Sequence, residues 1–328
     1  MEDDAEAAFE YAYEKGWTDG LPIIPPTQAR VARMLEQFGR DPAEVVAELP
    51  PRWGKATIEL IAINAVMAGC RADYLPVLIA AVRAVGDPAF GLHGVQPTTN
   101  AQTPIVIVNG PIRHEIDLNC GRGCLGPGWR ANATIGRALR LILLNVGGGI
   151  PGYTDMATTG WPGKFTLCCG EDEENSPWQP LSVDRGFEPG QSTVTVVAVN
   201  SMKQLSIMND IAESVMIMTA DTLRSFCGGG YEIVLVVPSG YLDMMQAAGL
   251  GKSDVQRYLW EHSAIPVASW PPGGVLRRST IRIVGEMAHV VPRPENIMIV
   301  CAGAPEPYHL MYLPTAGPDS LAVTVAVD

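Results

Sequence analysis

Apolar and polar positions repeat along this chain with two different periods, and the change of period marks its elements. Residues 3–15 place acidic and apolar side chains at helical spacing and stop at Gly16, which predicts a surface helix. A second helix is predicted over 28–38, with Thr27 as its cap, because Pro26 cannot lie within it. Residues 55–68 and 74–85 are apolar almost throughout and read as two buried helices joined by the turn Gly69-Cys70-Arg71. From there on the pattern mixes β-branched runs with helical ones. Strands are predicted at 104–109, 164–169, 192–199, 232–237, 296–300 and 320–326. Helices are predicted at 209–219, 221–226, 239–248 and 252–262. The expected class is therefore α/β, with mixed sheets flanked by helices and a helical N-terminal part. Three parts are expected: a helical region over 1–95 packed on the core, an α/β core over 96–200, and a second α/β part over 201–328. No convincing internal repeat is visible, although glycine-rich cysteine turns occur at 120–124 and at 227.

One stretch concentrates the chemistry. Residues 119–149 read NCGRGCLGPGWRANATIGRALRLILLNVGGG. Gly121, Gly123, Gly126, Pro127 and Gly128 forbid a helix, so Cys120 and Cys124 sit in a tight loop. Residues 130–145 then carry apolar side chains at helical spacing, and three glycines end the run. A helix start offers free N–H groups and a partial positive charge, which favours an anion or a thiolate. Arg122, Arg130 and Arg137 add positive charge, and Asn132 is placed either to cap the helix or to reach a ligand.

A second constellation follows at 160–187. Cys168 and Cys169 precede the acidic run Glu171–Glu174, and Ser176-Pro177-Trp178 interrupts it. A carboxylate beside thiols can act as a general base or a metal ligand, and Glu174 or Glu171 is the expected one. On a strand, Cys168 and Cys169 point to opposite faces, so one of them can turn toward Cys120 or Cys124. Thr99 and Asn100, just before the strand at 104–109, can bind a ligand or serve only the loop backbone.

Composition narrows the classes. With 47% hydrophobic and 18% charged residues the chain is expected to be compact and globular. A formal net charge of −12 argues against a nucleic-acid partner, which needs a basic face. No apolar run is long enough to predict a membrane span, and the acidic N-terminus does not read as a secretory leader. Seven cysteines, an odd number, fit reduced thiols and a cytoplasmic location. There is no dinucleotide fingerprint, P-loop, H-E-x-x-H or G-x-S-x-G motif.

Several stretches carry a family resemblance: GWTDGLPIIPPT at 16–27, NAVMAGCRADYLPVLIAAV at 64–82, GPGWRANATIGRALRLILLNVGG at 126–148 and GEDEENSPW at 170–178. Together they resemble the larger proteins that accompany the UGSC (seleno)proteins, where U is selenocysteine. Distantly, the family is similar to the thiol and selenol reductases of the glycine-reductase type. The resemblance implies thiol chemistry on a small molecule and a small (seleno)cysteine-containing partner protein. By motif position it points to Cys70, Cys120, Arg130, Asn132, Arg137 and the acidic loop. No U-G-S-C or C-G-S-C tetrapeptide occurs here, so that motif would come from the partner.

The expectation is thus an enzyme acting on a small anionic or carbonyl-bearing substrate. Cys120 or Cys124 is its nucleophile, Arg130 the stabilising cation and Glu174 the acid/base. Asn132, Arg137, Thr99, Asn100 and Trp178 are the expected substrate contacts. The alternatives are a metalloenzyme, hydrolase or lyase, holding iron or zinc with Cys120, Cys124 and Cys169, and a non-catalytic binding subunit of a complex. A homo-oligomer is the expected assembly.

Overall fold

The computed structural model describes residues 5–36, 38–208, 210–225, 230–269, 282–315 and 320–328. Cys227 and the ends of the helices expected at 209–219 and 221–226 lie outside them. The elements run α1 (Ala5–Glu14), α2 (Gln28–Leu35), β1 (Val45–Leu49), β2 (Gly54–Thr57), α3 (Ile58–Ala68), α4 (Leu75–Gly86), α5 (Leu92–Val95), β3 (Thr103–Asn109), α6 (Ile112–Glu115) and α7 (Arg130–Asn145). There follow β4 (Cys168–Gly170), α8 (Leu181–Asp184), β5 (Thr193–Val199), β6 (Lys203–Ser206), α9 (Ala212–Arg224), β7 (Ile233–Val237), α10 (Ser239–Ala247) and α11 (Lys252–His262). The chain ends with β8 (Ile265–Pro266), β9 (Arg282–Val284), β10 (Met287–His289), β11 (Ile297–Cys301), β12 (His309–Leu313) and β13 (Val323–Ala326).

The chain is an α/β protein built in four layers. One mixed sheet has the strand order β13-β5-β3-β4 and another β11-β7-β12-β6. Strand alternation sorts their side chains. Ile105, Ile107, Cys169, Val197 and Val199 of the first sheet share an apolar layer with Val234, Val236, Met298, Val300 and Leu313 of the second. The opposite faces are covered by helices. Val106, Val108, Val196 and Cys168 pack with residues of α3, α4 and α7. Leu235, Val237, Ile299 and Cys301 pack with residues of α9, α10 and α11. Each central strand is therefore apolar on both faces, which is why the runs at 104–109 and 232–237 read as continuously hydrophobic.

The two sheets repeat one topology. In the first, β3 runs parallel to β4 and antiparallel to β5, and β5 pairs antiparallel with β13. In the second, β7 runs parallel to β11 and antiparallel to β12, and β12 pairs antiparallel with β6. The edge strands are exchanged, since β6 follows β5 in the chain yet joins the other sheet, and β13 does so after β12. Matching backbone bonds close the two halves. Glu171 N donates to Val108 O at 3.1 Å, and Ala302 N donates to Val237 O at 3.1 Å. This duplication is the internal repeat that the residues themselves do not display.

Local rules explain most boundaries. Thr27 accepts from Arg30 N and caps α2. Thr57 caps α3 by accepting from Leu60 N, so residues 55–57 belong to a strand that pairs with β1 and not to the helix. The strand expected at 164–169 is confined to Cys168–Gly170, because Pro162–Lys164 forms a 3-10 turn. The proline-rich segment 16–27 is a strap. Arg137 grips Asp19 at 2.9 Å and Pro22 O at 2.8 Å, and Asn145 donates to Trp17 O at 3.0 Å. Among the described residues no single helix is long and apolar enough to cross a membrane.

Candidate functional site

Ligands in open α/β sheets gather beyond the carboxyl ends of parallel strands. Here the ends of β3, β4 and β11 converge, and the loops at 110–129, 171–178 and 302–306 meet over them. Gly303 N donates to Cys120 O at 2.9 Å, and Asp172 N donates to Cys301 O at 2.7 Å, so the two halves interlock at this point.

Arg113 is the hub. It follows β3 on the short helix α6, and it is 1% exposed, the largest of the fully buried side chains. Its Nε donates to Gly110 O at 2.9 Å and its Nη1 to Glu171 O. Both terminal nitrogens bond Glu174, at 3.2 and 2.8 Å, and Glu173 lies 3.4 Å away. The Cys120 sulfur sits 3.9 Å from Nη1. Two glycines make room for this packing. Gly110 has a φ of +83°, and a Cβ there would meet the Ser192 backbone at 2.5 Å. A Cβ on Gly170 would press at 3.2 Å on Arg113, Cys120 and Leu118 together.

The carboxylates divide by environment. Glu174 is paired with Arg113 and, through Oε1, with His114 Nε2 at 2.9 Å. The Arg113 hydrogen bond above all holds its carboxyl down at about 2. Glu174 is thus engaged as the counterion of Arg113, where an acid/base was expected. Glu171 is 1% exposed, and burial pushes its carboxyl up. It accepts from Asn109 Nδ2 at 2.7 Å and from Leu181 N at 2.8 Å, so it ties β3 to the start of α8. Glu173 accepts from Asn109 Nδ2 and Gly110 N at 2.9 and 2.7 Å. Asp172, partly exposed, is bonded by Asn175 and exerts the largest single charge effect on Cys120.

The thiols divide in the same way. Of the six described cysteines, Cys120 alone is not buried. Burial, Asp172 and Glu174 push its thiol up, and Arg113 opposes them. Burial pushes Cys124, Cys70 and Cys301 up to about 12, and Cys168 and Cys169 up as well. None of these thiols is activated by a helix start. The N-cap of α7 is Trp129, nine positions after Cys120 in the chain. Cys124 and Cys169 face the apolar layer between the sheets, 4% and 0% exposed, while Cys120 faces Arg113 on the polar side. That separation accounts for a further finding: among the described residues no group of three His, Cys, Asp or Glu side chains is arranged to hold a metal ion.

The remaining sequence-derived residues lie elsewhere or are engaged. Asn132 is 3% exposed, and it clamps the loop to β4 and to itself. Its Oδ1 accepts from Asn119 N at 2.9 Å, and its Nδ2 donates to Asn119 O, Cys124 O and Cys168 O. Arg130 bonds Gly69 O and Arg137 bonds the strap, so both turn away from Cys120. Thr99 takes up Thr158, and Asn100 bonds Thr98, in the loop before β3. That loop lies at the start of the strand, about 20 Å from its carboxyl end at 3.3 Å per residue. Trp178 is 9% exposed, packed in the core under the second sheet's helices, with its Nε1 on Gln246 at 2.9 Å. Cys70 donates to Thr134 O on the far side of α7.

The glycine loop shapes two hollows. One of about 460 Å³ lies against Asn132, Trp161 and Thr166. The other, about 370 Å³, is lined by Arg122, Cys124, Pro238, Gly303, Glu306 and Tyr308. Arg122 and Glu306 close the rim of the second with an ion pair at 2.6 Å. Arg113, His114 and Cys301 lie outside the motifs that the sequence offers, and Asp172 lies within its acidic run with no role of its own expected there. The usable signal was position: Asn109-Gly110-Pro111-Ile112-Arg113 leaves the carboxyl end of the first core strand. No family model matches the chain, and no curated protein matches it.

Proposed function

We propose that the chain carries out thiol chemistry through Cys120, exchanging with an electrophilic sulfur on a small molecule or on a (seleno)cysteine of a partner protein. The observation that supports this is the placement of Cys120: the only described cysteine that is not buried, at the meeting point of the two halves, 3.9 Å from a buried guanidinium. The thiol rests protonated, because burial and Asp172 outweigh Arg113. Reaction therefore requires the proton to leave to solvent as sulfur attacks. Arg113 stabilises the negative charge that develops on sulfur, while Glu174 and Glu173 hold that guanidinium in place. In the exchange the Cys120 sulfur forms a bond to one sulfur of a disulfide, the S–S bond breaks, and the departing thiolate takes a proton.

Exposure to cystine tests the reading. Among the described cysteines the native protein is expected to gain one cysteinyl group, mapped by mass spectrometry to Cys120, with release of one cysteine. Cys120→Ser is expected to gain none at these positions. An adduct on another described cysteine, or none on Cys120, defeats the proposal.

A further inference from the structure

A separate cavity of about 480 Å³ lies on the other side of α7, within the usual size range of small-ligand sites. Three distant segments bring arginines to it: Arg30 and Arg33 from α2, Arg71 from the turn after α3, and Arg130 from the start of α7. Asp73 is the only carboxylate in its lining, beside Ile24, Met34 and Cys70. Four guanidiniums against one carboxylate is an inversion for a chain whose formal net charge is −12. Arg30 and Arg33 also share one helical face, an arrangement that is mildly unfavourable unless an anion balances it.

Most of the donors in this cavity are uncommitted. A guanidinium carries five N–H groups. Arg30 uses one on Pro25 O, Arg71 one on Asp73 Oδ2, and Arg130 one on Gly69 O. Arg33 bonds nothing among the described residues. Asp73 keeps one carboxylate oxygen on Arg71, and its other oxygen is closed off from the cavity, so it does not offset the remaining arginines.

We propose that this cavity binds a small oxyanion, a phosphate or a dicarboxylate, with the four arginines taking its charge. The site is independent of Cys120.

Calorimetric titration of the full chain at low ionic strength, where screening is weakest, decides the matter. Inorganic phosphate or malate is expected to bind with a dissociation constant of about 1 mM or tighter, and whichever of the two binds names the oxyanion. Arg33→Gln, which removes no internal bond, is expected to weaken binding about tenfold while the melting temperature of the free protein stays unchanged. Cys120→Ser is expected to leave all these values as they are. Absence of heat from both phosphate and malate at 10 mM (roughly ten times the expected constant), or binding unaltered in Arg33→Gln, overturns the site.

Discussion

Arg113→Met is expected to destabilise the protein by about 3 kcal/mol or more, the cost of removing one partner from a buried ion network. The side chain is 2% exposed and holds the backbone at Gly110 and Glu171 as well as the carboxylates of Glu173 and Glu174. Methionine matches the stem but its side chain donates nothing, so the Gly110 and Glu171 carbonyls each keep only a backbone donor and the carboxylates keep their charge without the guanidinium. Glu174 can turn to water because its side chain is 53% exposed, which sets the loss at the lower end of the range for buried pairs. Glu173, at 16%, has less freedom. Arg113→Lys retains the charge but not the planar fork, and is expected to recover part of the loss. Denaturant unfolding of the three proteins measures this directly; a loss below about 1 kcal/mol for Arg113→Met would mean that the network is not what holds the loops together.

Alkaline pH is expected to unfold the chain between about pH 9 and 10.5, because five buried thiols cannot ionise inside it. Cys70, Cys124 and Cys301 are pushed up to about 12, and Cys168 and Cys169 are pushed up as well. A group whose folded value is raised contributes stability that is whole below the unfolded value and lost as pH climbs toward the folded one. The unfolded value is about 8.5, so the loss begins there. At pH 10 each thiol has cost about 2 kcal/mol, and five together reach the whole stability of an ordinary domain. Circular dichroism against pH locates the transition. Cys301→Ala is expected to flatten the slope by about 1.4 kcal/mol per pH unit, after its own constant packing cost. A stability unchanged up to pH 11 would show that these thiols are not shut away from water.

The fold was legible where the pattern is local. The helix at 130–145 and the strands at 104–109 and 192–199 declare themselves by period and by β-branching, and Thr27 by the proline before it. Two features were not legible. The face-to-face packing of the sheets depends on which side of Ile105 or Val106 meets another strand, and a strand that is apolar on both sides does not carry that information. The duplication is carried by strand order and by paired bonds such as Glu171 to Val108 and Ala302 to Val237, which demand no shared residue types.

The site shows the same division. Proximity of the cysteine loop to the acidic loop was expected, and Cys120 and Glu174 do meet on one guanidinium. Which guanidinium was not legible. Arg130 and Arg137 adjoin the cysteines in sequence, but the turn of α7 aims them at Gly69 and Asp19. Arg113, within the stretch Pro111-Ile112-Arg113-His114-Glu115, reads as one surface charge among several until Gly110 and Gly170 let the loops close over it. Asn132 was weighed as a cap or a ligand contact; with Trp129 at the N-cap, its amide instead faces inward and staples the loop to β4.

Alkylation of the native protein by iodoacetamide, followed peptide by peptide from pH 7 to 9, decides whether Cys120 is the reactive thiol and rests protonated beside Arg113. Cys120 is expected to be modified well before any other described cysteine, at a rate still rising at pH 9. Modification of Cys120 no faster than that of Cys70 or Cys168, or a rate already level by pH 8, would contradict it.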